Sequence, residues 1–177
     1  MSKIQIDNKE FEILLEHDHI KKRTHLIGIQ LNVVYEKRVP VFIGVLNGSF
    51  MFFADLMKQV EIAVEVCFVK IASYKGEERS ETKALFGLNM DLKGRDVVIV
   101  EDIIDTGETL NYLLKEINKH EPASVAVCAL LMKPTKMQYY FKEINYVVFE
   151  IEDDFVVGYG LDYNGLGRNL KDVYKAC

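Results

Sequence analysis

The chain has 177 residues, 49% of them hydrophobic, 28% charged and 11% aromatic, with 3 Pro and 11 Gly. Residues 1–177 read as one domain around one core: the apolar content excludes a disordered chain, and no apolar run reaches the ~18 residues of a membrane helix. The formal charge is −5, from 27 acids against 22 bases, which argues against a nucleic-acid binder because such proteins need a basic face.

The N-terminal stretch MSKIQIDNKEFEILLEHD is acidic and lacks a basic segment followed by an apolar one, so no signal peptide is expected. Residues 11–15 (FEILL) read as a short strand. A helix is expected from Asp18 to Arg38, with Ile20, Ile27, Leu31 and Val34 near one stripe. VPVFIGVL (39–46) is a continuous β-branched run and reads as a buried strand ending in Asn47-Gly48-Ser49. Phe50, Phe53, Ala54 and Met57 then follow helical spacing, with Ser49 as the expected cap. EIAVEVCFVKIASY (61–74) reads as a long strand, and the polar run KGEERSETK (75–83) as a mobile, solvated loop. A turn at Lys93-Gly94 leads into the strand DVVIV (96–100).

After Thr106 the period becomes helical, with Leu110, Leu113, Leu114 and Ile117 on one stripe ending before Pro122. ASVAVCALL (123–131) and INYVVFEI (144–151) are further buried strands, and FVVGYG (155–160) a last short one. Apolar strands alternating with amphipathic helices predict an α/β fold with a parallel sheet covered on both faces. Ligands of such sheets bind beyond the carboxyl ends of the strands. Cys67, Cys128 and Cys177 form no CxxC or His/Cys cluster, so they read as reduced thiols in a cytoplasmic protein. His17, His19, His25 and His120 show no metal-binding spacing and receive no catalytic part.

The stretch VVIVEDIIDTGETL (97–110) carries the chemistry. A buried strand runs into Glu101 and Asp102, then two apolar residues, then Asp105-Thr106-Gly107-Glu108-Thr109 and a helix. Gly107 permits a tight turn and close approach of a ligand. The first amides of the helix lack partners, and its dipole places about half a positive charge there. That is a phosphate cradle. Acids beside it need a divalent ion or sugar hydroxyls to offset their charge, and Mg²⁺ favours carboxylates together with phosphate oxygens. The residues therefore point to a sugar phosphate. Neither a Walker A loop nor a GxGxxG fingerprint is present.

This stretch resembles the phosphoribosyl-pyrophosphate motif of type I phosphoribosyltransferases, and within them the hypoxanthine(-guanine) phosphoribosyltransferases. LNGSFMFFADL (46–56) resembles that family's pyrophosphate loop and following helix. SYKG (73–76) resembles the start of its catalytic loop, and LLMKPTK (130–136) and DDFVVGYGLDYNGLGRNL (153–170) its base-binding segments. The likeness runs over about residues 11–170 in the family's order.

The resemblance implies a parallel-sheet core with a small hood built from the N- and C-terminal segments. It implies transfer of ribose 5-phosphate from phosphoribosyl pyrophosphate to N9 of a 6-oxopurine. On this basis Glu101 and Asp102 hold the ribose hydroxyls and the Mg²⁺ shell, Asp105 is the general acid/base at the purine N7, and Thr106 to Thr109 take the 5-phosphate. Lys133 meets the purine O6, Phe155 stacks on the base and Val156 binds its edge through the backbone. Asp162 serves a second metal and the 2-position, Arg168 contacts pyrophosphate, and Ser73 and Tyr74 open a lid. Asn47 stands where members commonly carry Lys or Arg, and Leu166-Gly167 where they often carry bulkier residues. Pyrophosphate contact then falls to the amides of Asn47 and Gly48, and the peptide bond before Asn47 can be cis in the family. A homodimer or homotetramer is implied, with no nucleic-acid or membrane partner.

Two other readings stay open at this point. One is a phosphoribosyl-pyrophosphate-sensing regulator, which usually adds a DNA-binding domain or a basic RNA face. The other is a pyrimidine phosphoribosyltransferase, against which Lys133 and the Phe155 segment argue.

Overall fold

The computed structural model describes residues 3–75 and 81–177, with the side chains of 72–75 and 81–84 left aside. Strands β1 (Lys3–Ile6) and β2 (Lys9–Leu15) open the chain, followed by helix α1 (His17–Val34), strand β3 (Val41–Leu46) and helix α2 (Phe50–Met57). Then come β4 (Glu65–Lys75), β5 (Glu81–Phe86), β6 (Asp96–Ile104) and helix α3 (Glu108–Asn118). Strands β7 (Ser124–Met132), β8 (Ile144–Glu150), β9 (Val156–Val157) and β10 (Val173–Ala176) complete the chain, with a 3-10 turn at Pro134–Lys136.

The main sheet has the order β5-β4-β3-β6-β7-β8. β4, β3, β6, β7 and β8 are parallel, and β5 is an antiparallel edge. Alternation along the strands feeds two cores. Val98 and Val100 of β6 face Ile20, Leu31, Phe52 and Leu56 of α1 and α2. Val97 and Ile99 face Leu110, Leu113 and Ile117 of α3 on the opposite side. Helices thus cover both faces, as the apolar strands predict. A second sheet, antiparallel in the order β1-β2-β10-β9, forms the expected hood from the two ends of the chain.

The chain leaves β3 for β4 on one side and reaches β6 on the other. This reversal makes a crevice beyond the carboxyl ends of β3 and β6, where α/β sheets bind ligands. The Leu46–Asn47 peptide at that end of β3 is cis, as in the family the sequence resembles.

Several local expectations need correction. Ser49 does not cap α2 through its side chain: its hydroxyl donates 2.6 Å back to the Val45 carbonyl. α1 stops at Val34, short of Arg38, and the run 155–160 is strand only at Val156–Val157. The expected loop 75–83 yields Lys75 to β4 and Glu81 onward to β5, while 76–80 lie outside the described residues. β6 runs on past Val100 through the acidic pair to Ile104. β1 and β10 were not expected as strands. Among the described residues no helix is long and apolar enough to cross a membrane. Cys67 and Cys128 are buried free thiols, and Cys177 is an exposed one.

Candidate active site

A cavity of about 500 Å³ opens at the crevice. Asn47 and Gly48 line it from the end of β3, and Glu101, Asp102 and Asp105 from the end of β6. Thr106, Gly107, Glu108 and Thr109 line it from the loop into α3, and Asp162 and Arg168 from the hood segment. The sequence-derived phosphate, diol and pyrophosphate residues therefore share one space.

The loop into α3 is held from both sides. Gly107, at φ +86°, is the N-cap, and its carbonyl accepts from the Asn111 amide at 2.8 Å. The Thr106 hydroxyl accepts from the Glu108 amide at 3.4 Å. The segment after β7 folds over the same loop: the Lys133 amide donates to the Ile104 carbonyl at 2.9 Å and the Gln138 amide to that of Thr106 at 3.0 Å. This clamp presents the start of α3, where the helix dipole favours an anion, to the cavity.

Glu101 is 4% exposed, and among the described residues neither it nor Asp102 has an ion-pair partner. Burial, and then the charge of Asp102, push the Glu101 carboxyl well above the carboxylate range. Burial pushes Asp102 up to about 6, against backbone hydrogen bonds and the Arg168 charge, which act the other way. Both groups hold a proton more tightly in the folded chain than in the unfolded one. The ligand-free protein therefore gains stability from Asp102 as pH falls through about 6 and loses it as pH rises through that value. We expect thermal melts of the ligand-free protein between about pH 5 and about pH 7.5 to show a drop in midpoint that shrinks in Asp102→Asn. An identical pH dependence in the variant would contradict this.

A buried and a half-buried carboxylate without ion-pair partners among the described residues are hard oxygen donors that suit Mg²⁺, which takes one or two carboxylates and completes its shell with water and phosphate oxygens. Among the described residues no group of three metal-ligating side chains occurs. Asp162, expected at a second metal, has both oxygens engaged within the chain. Its Oδ1 pairs with Arg168 at 2.6 Å, and its Oδ2 accepts from the Gly165 amide at 2.8 Å. Arg168 also donates to the Gly160 carbonyl at 2.7 Å.

At the other end, Asp105 meets two lysines. Lys133, 6% exposed, lies 3.7 Å from its Oδ2, and Lys136 lies 3.5 Å from its Oδ1. Phe155 is 46% exposed, and Tyr163 packs edge-on against its ring. Val156 is buried in β9, paired with Lys175. Neither Phe155 nor Val156 lines the 500 Å³ cavity. Ser73 and Tyr74 fall within β4, but their side chains, and Gly76 beyond, lie outside the described residues.

Sequence reasoning missed Lys136 and Asp153, which join Lys133 and Asp105 in one cluster. The signal was the K-P-T-K spacing, which places two lysines one 3-10 turn apart. It also missed Tyr159, fully buried, whose hydroxyl donates 2.7 Å to Asp55 and ties the hood segment to α2.

A family model described as the phosphoribosyl transferase domain matches residues 11–164. The chain is 40% identical over 169 residues to the hypoxanthine phosphoribosyltransferase of Haemophilus influenzae, covering 93% of this chain and 94% of that one. It is 40% identical over 164 residues to the hypoxanthine-guanine phosphoribosyltransferase of Streptococcus pyogenes, covering 92% and 91%. Among solved structures, a hypoxanthine phosphoribosyltransferase from Staphylococcus aureus superposes with a TM-score of 0.85 at 32% identity, covering 94% of this chain and 91% of that one. A ternary substrates complex of a variant of the Trypanosoma cruzi hypoxanthine phosphoribosyltransferase gives a TM-score of 0.85 at 32% identity over 93% and 94%. With this domain match, these relatives and this architecture, the chain belongs to the phosphoribosyl transferase family.

Proposed function

We propose that this protein is a purine-salvage hypoxanthine phosphoribosyltransferase, acting on hypoxanthine and also on guanine, to give IMP or GMP and pyrophosphate. The observation that carries this reading is the one cavity lined together by the start of α3, the carboxylates Glu101 and Asp102, and Arg168. The amides and hydroxyls of Thr106 to Thr109 take the 5-phosphate, and Glu101 and Asp102 accept the ribose hydroxyls. Arg168 and the amides of Asn47 and Gly48 hold the pyrophosphate. Asp162, whose carboxylate pairs with Arg168, would serve a second metal and meets the purine 2-position through its carbonyl.

At the base end, Lys133 donates to O6, Phe155 stacks on the ring and the Val156 backbone binds its edge. The N9–C1′ bond forms as the bond from C1′ to the pyrophosphate oxygen breaks, and Asp105 handles the proton at N7. Glu101 and Asp102 would hold Mg²⁺, which when bound offsets the charge of the departing pyrophosphate. Ser73 and Tyr74 begin a lid that excludes water from the cationic ribosyl centre. The protein works as a single domain in the cytoplasm, as a homodimer or homotetramer, on phosphoribosyl pyrophosphate and a 6-oxopurine, without nucleic acid or membrane.

The test is direct. Enzyme, MgCl₂, phosphoribosyl pyrophosphate and hypoxanthine are mixed, and IMP is followed by absorbance or chromatography. Formation of IMP is the expected result. No turnover with hypoxanthine, guanine or xanthine would overturn the reading.

A further inference from the structure

Four charged side chains form an alternating ring at the base end. Lys133 Nζ lies 3.7 Å from Asp105 Oδ2 and 3.3 Å from Asp153 Oδ1. Lys136 Nζ lies 3.5 Å from Asp105 Oδ1 and 3.0 Å from the same oxygen of Asp153. The cations come from the end of β7 and the 3-10 turn after it, where the Lys136 amide donates 3.1 Å to the Lys133 carbonyl. Asp105 comes from the end of β6, and Asp153 from the segment between β8 and β9. Within the ring only Lys133 is deeply buried, with 7% of its side chain exposed against 55% for Asp153.

A buried ammonium needs a counter-ion at all times, because an unpaired charge out of water is strongly unfavourable. A 6-oxopurine makes this demand acute. Its O6 takes the Lys133 ammonium while its N7 takes Asp105, so the base competes with the Lys133–Asp105 contact from both sides. Asp153 is the carboxylate that can stay with Lys133 throughout. Lys136 touches both carboxylates and fixes their spacing. Consistent with that contact, Lys136 first and then Lys133 hold the Asp153 carboxyl below its usual range, and Asp153 in turn raises Lys136.

We propose that Asp153 and Lys136 are positioning residues of the purine site: Asp153 anchors the Lys133 ammonium where a 6-oxo group meets it, and Lys136 braces Asp153 against Asp105. Without Asp153, the carboxylate left within reach of Lys133 among the described residues is Asp105, and the ammonium closes onto the group that must serve N7. The inference rests on the reading of the chain as a 6-oxopurine phosphoribosyltransferase. It assigns discrimination at the 6-position to a cluster of four residues and not to Lys133 alone.

The experiment compares wild type with Asp153→Asn, Asp153→Glu and Lys136→Gln in MgCl₂, varying hypoxanthine and phosphoribosyl pyrophosphate separately. For Asp153→Asn the hypoxanthine KM should rise about tenfold, the loss of roughly one well-placed charge contact, while the KM for phosphoribosyl pyrophosphate stays within about twofold. That split follows because neither Asp153 nor Lys136 lines the phosphate cavity. Asp153→Glu should recover most of the loss, and Lys136→Gln should show the same split in smaller measure. Unchanged constants in the variants, or equal rises in both KM values, overturn the inference while an active wild type leaves the parent reading intact. A wild type inactive on every 6-oxopurine overturns the parent reading and the inference with it. Should Asp153→Asn fail to fold by thermal melt, the Lys136→Gln split decides.

Discussion

Replacing Asp105 by asparagine is expected to lower turnover with hypoxanthine by about 10²–10⁴-fold, the usual contribution of a positioned proton carrier. The amide matches the carboxylate in shape, so the loop into α3 and its helix-start amides keep their places. The affinity for phosphoribosyl pyrophosphate should accordingly stay near that of wild type, read as the ligand-induced rise in melting temperature. Two observations make the effect large. Asp105 Oδ1 is buried and, among the described residues, makes no hydrogen bond within the chain, only a 3.5 Å ion pair with Lys136. Asp105 also carries the negative charge that faces Lys133 and Lys136, and asparagine leaves two ammonium groups with only Asp153 between them. Equal losses in turnover and in ligand affinity would mean that Asp105 binds and does not handle a proton.

Gly48→Ala should be nearly as damaging, for a purely steric reason. A Cβ on Gly48 would fall within the carboxylate of Asp102. The Gly48 carbonyl has no room to retreat, since it is packed so closely on Gly160 that a side chain there would overlap it. Either Asp102 rotates out of the cavity or the loop after β3 moves against the hood. Displacements of about 1 Å at reacting groups cost on the order of 10²-fold, and we expect kcat/KM for phosphoribosyl pyrophosphate to fall by about that factor. The main sheet should survive, because Gly48 lies beyond the last residue of β3 and outside both cores. Near wild-type kcat/KM in this variant would show that the Asp102 side chain is free to move without consequence.

The contact between Gly48 and Asp102 marks the limit of what the chain order discloses. The acidic pair and the 105–109 loop were legible because a β-branched run gives way abruptly to charge, then glycine, then a 3.6-residue period. The parallel core was legible for the same reason: β3, residues 97–100 of β6 and most of β7 are continuous apolar runs, as strands buried on both faces must be. Strand β5 was not, because ETKALF is an edge strand, and edges carry charge that reads as loop. β1 and β10 have four residues each, too few for a period to register. Ser49 shows another failure. A serine before a helical run suggests a cap, but its backbone is already helical and its hydroxyl finds a nearer acceptor one turn back. Lys136 and Asp153 look like ordinary surface charges in sequence, and only the approach of the β7 and β8 ends reveals them as a set.

The hood has a consequence for how the enzyme matures. The strand between β2 and β9 is β10, which is made after every other strand described. The main sheet has all its strands once Glu150 is made, so the scaffold for the sugar-phosphate pocket can close while translation continues. The hood segment cannot: Phe155, Asp162 and Arg168 hang from a sheet whose centre is still missing. A ribosome-bound nascent chain should hence form its phosphate cradle first and gain the guanidinium of Arg168 and the ring of Phe155 last.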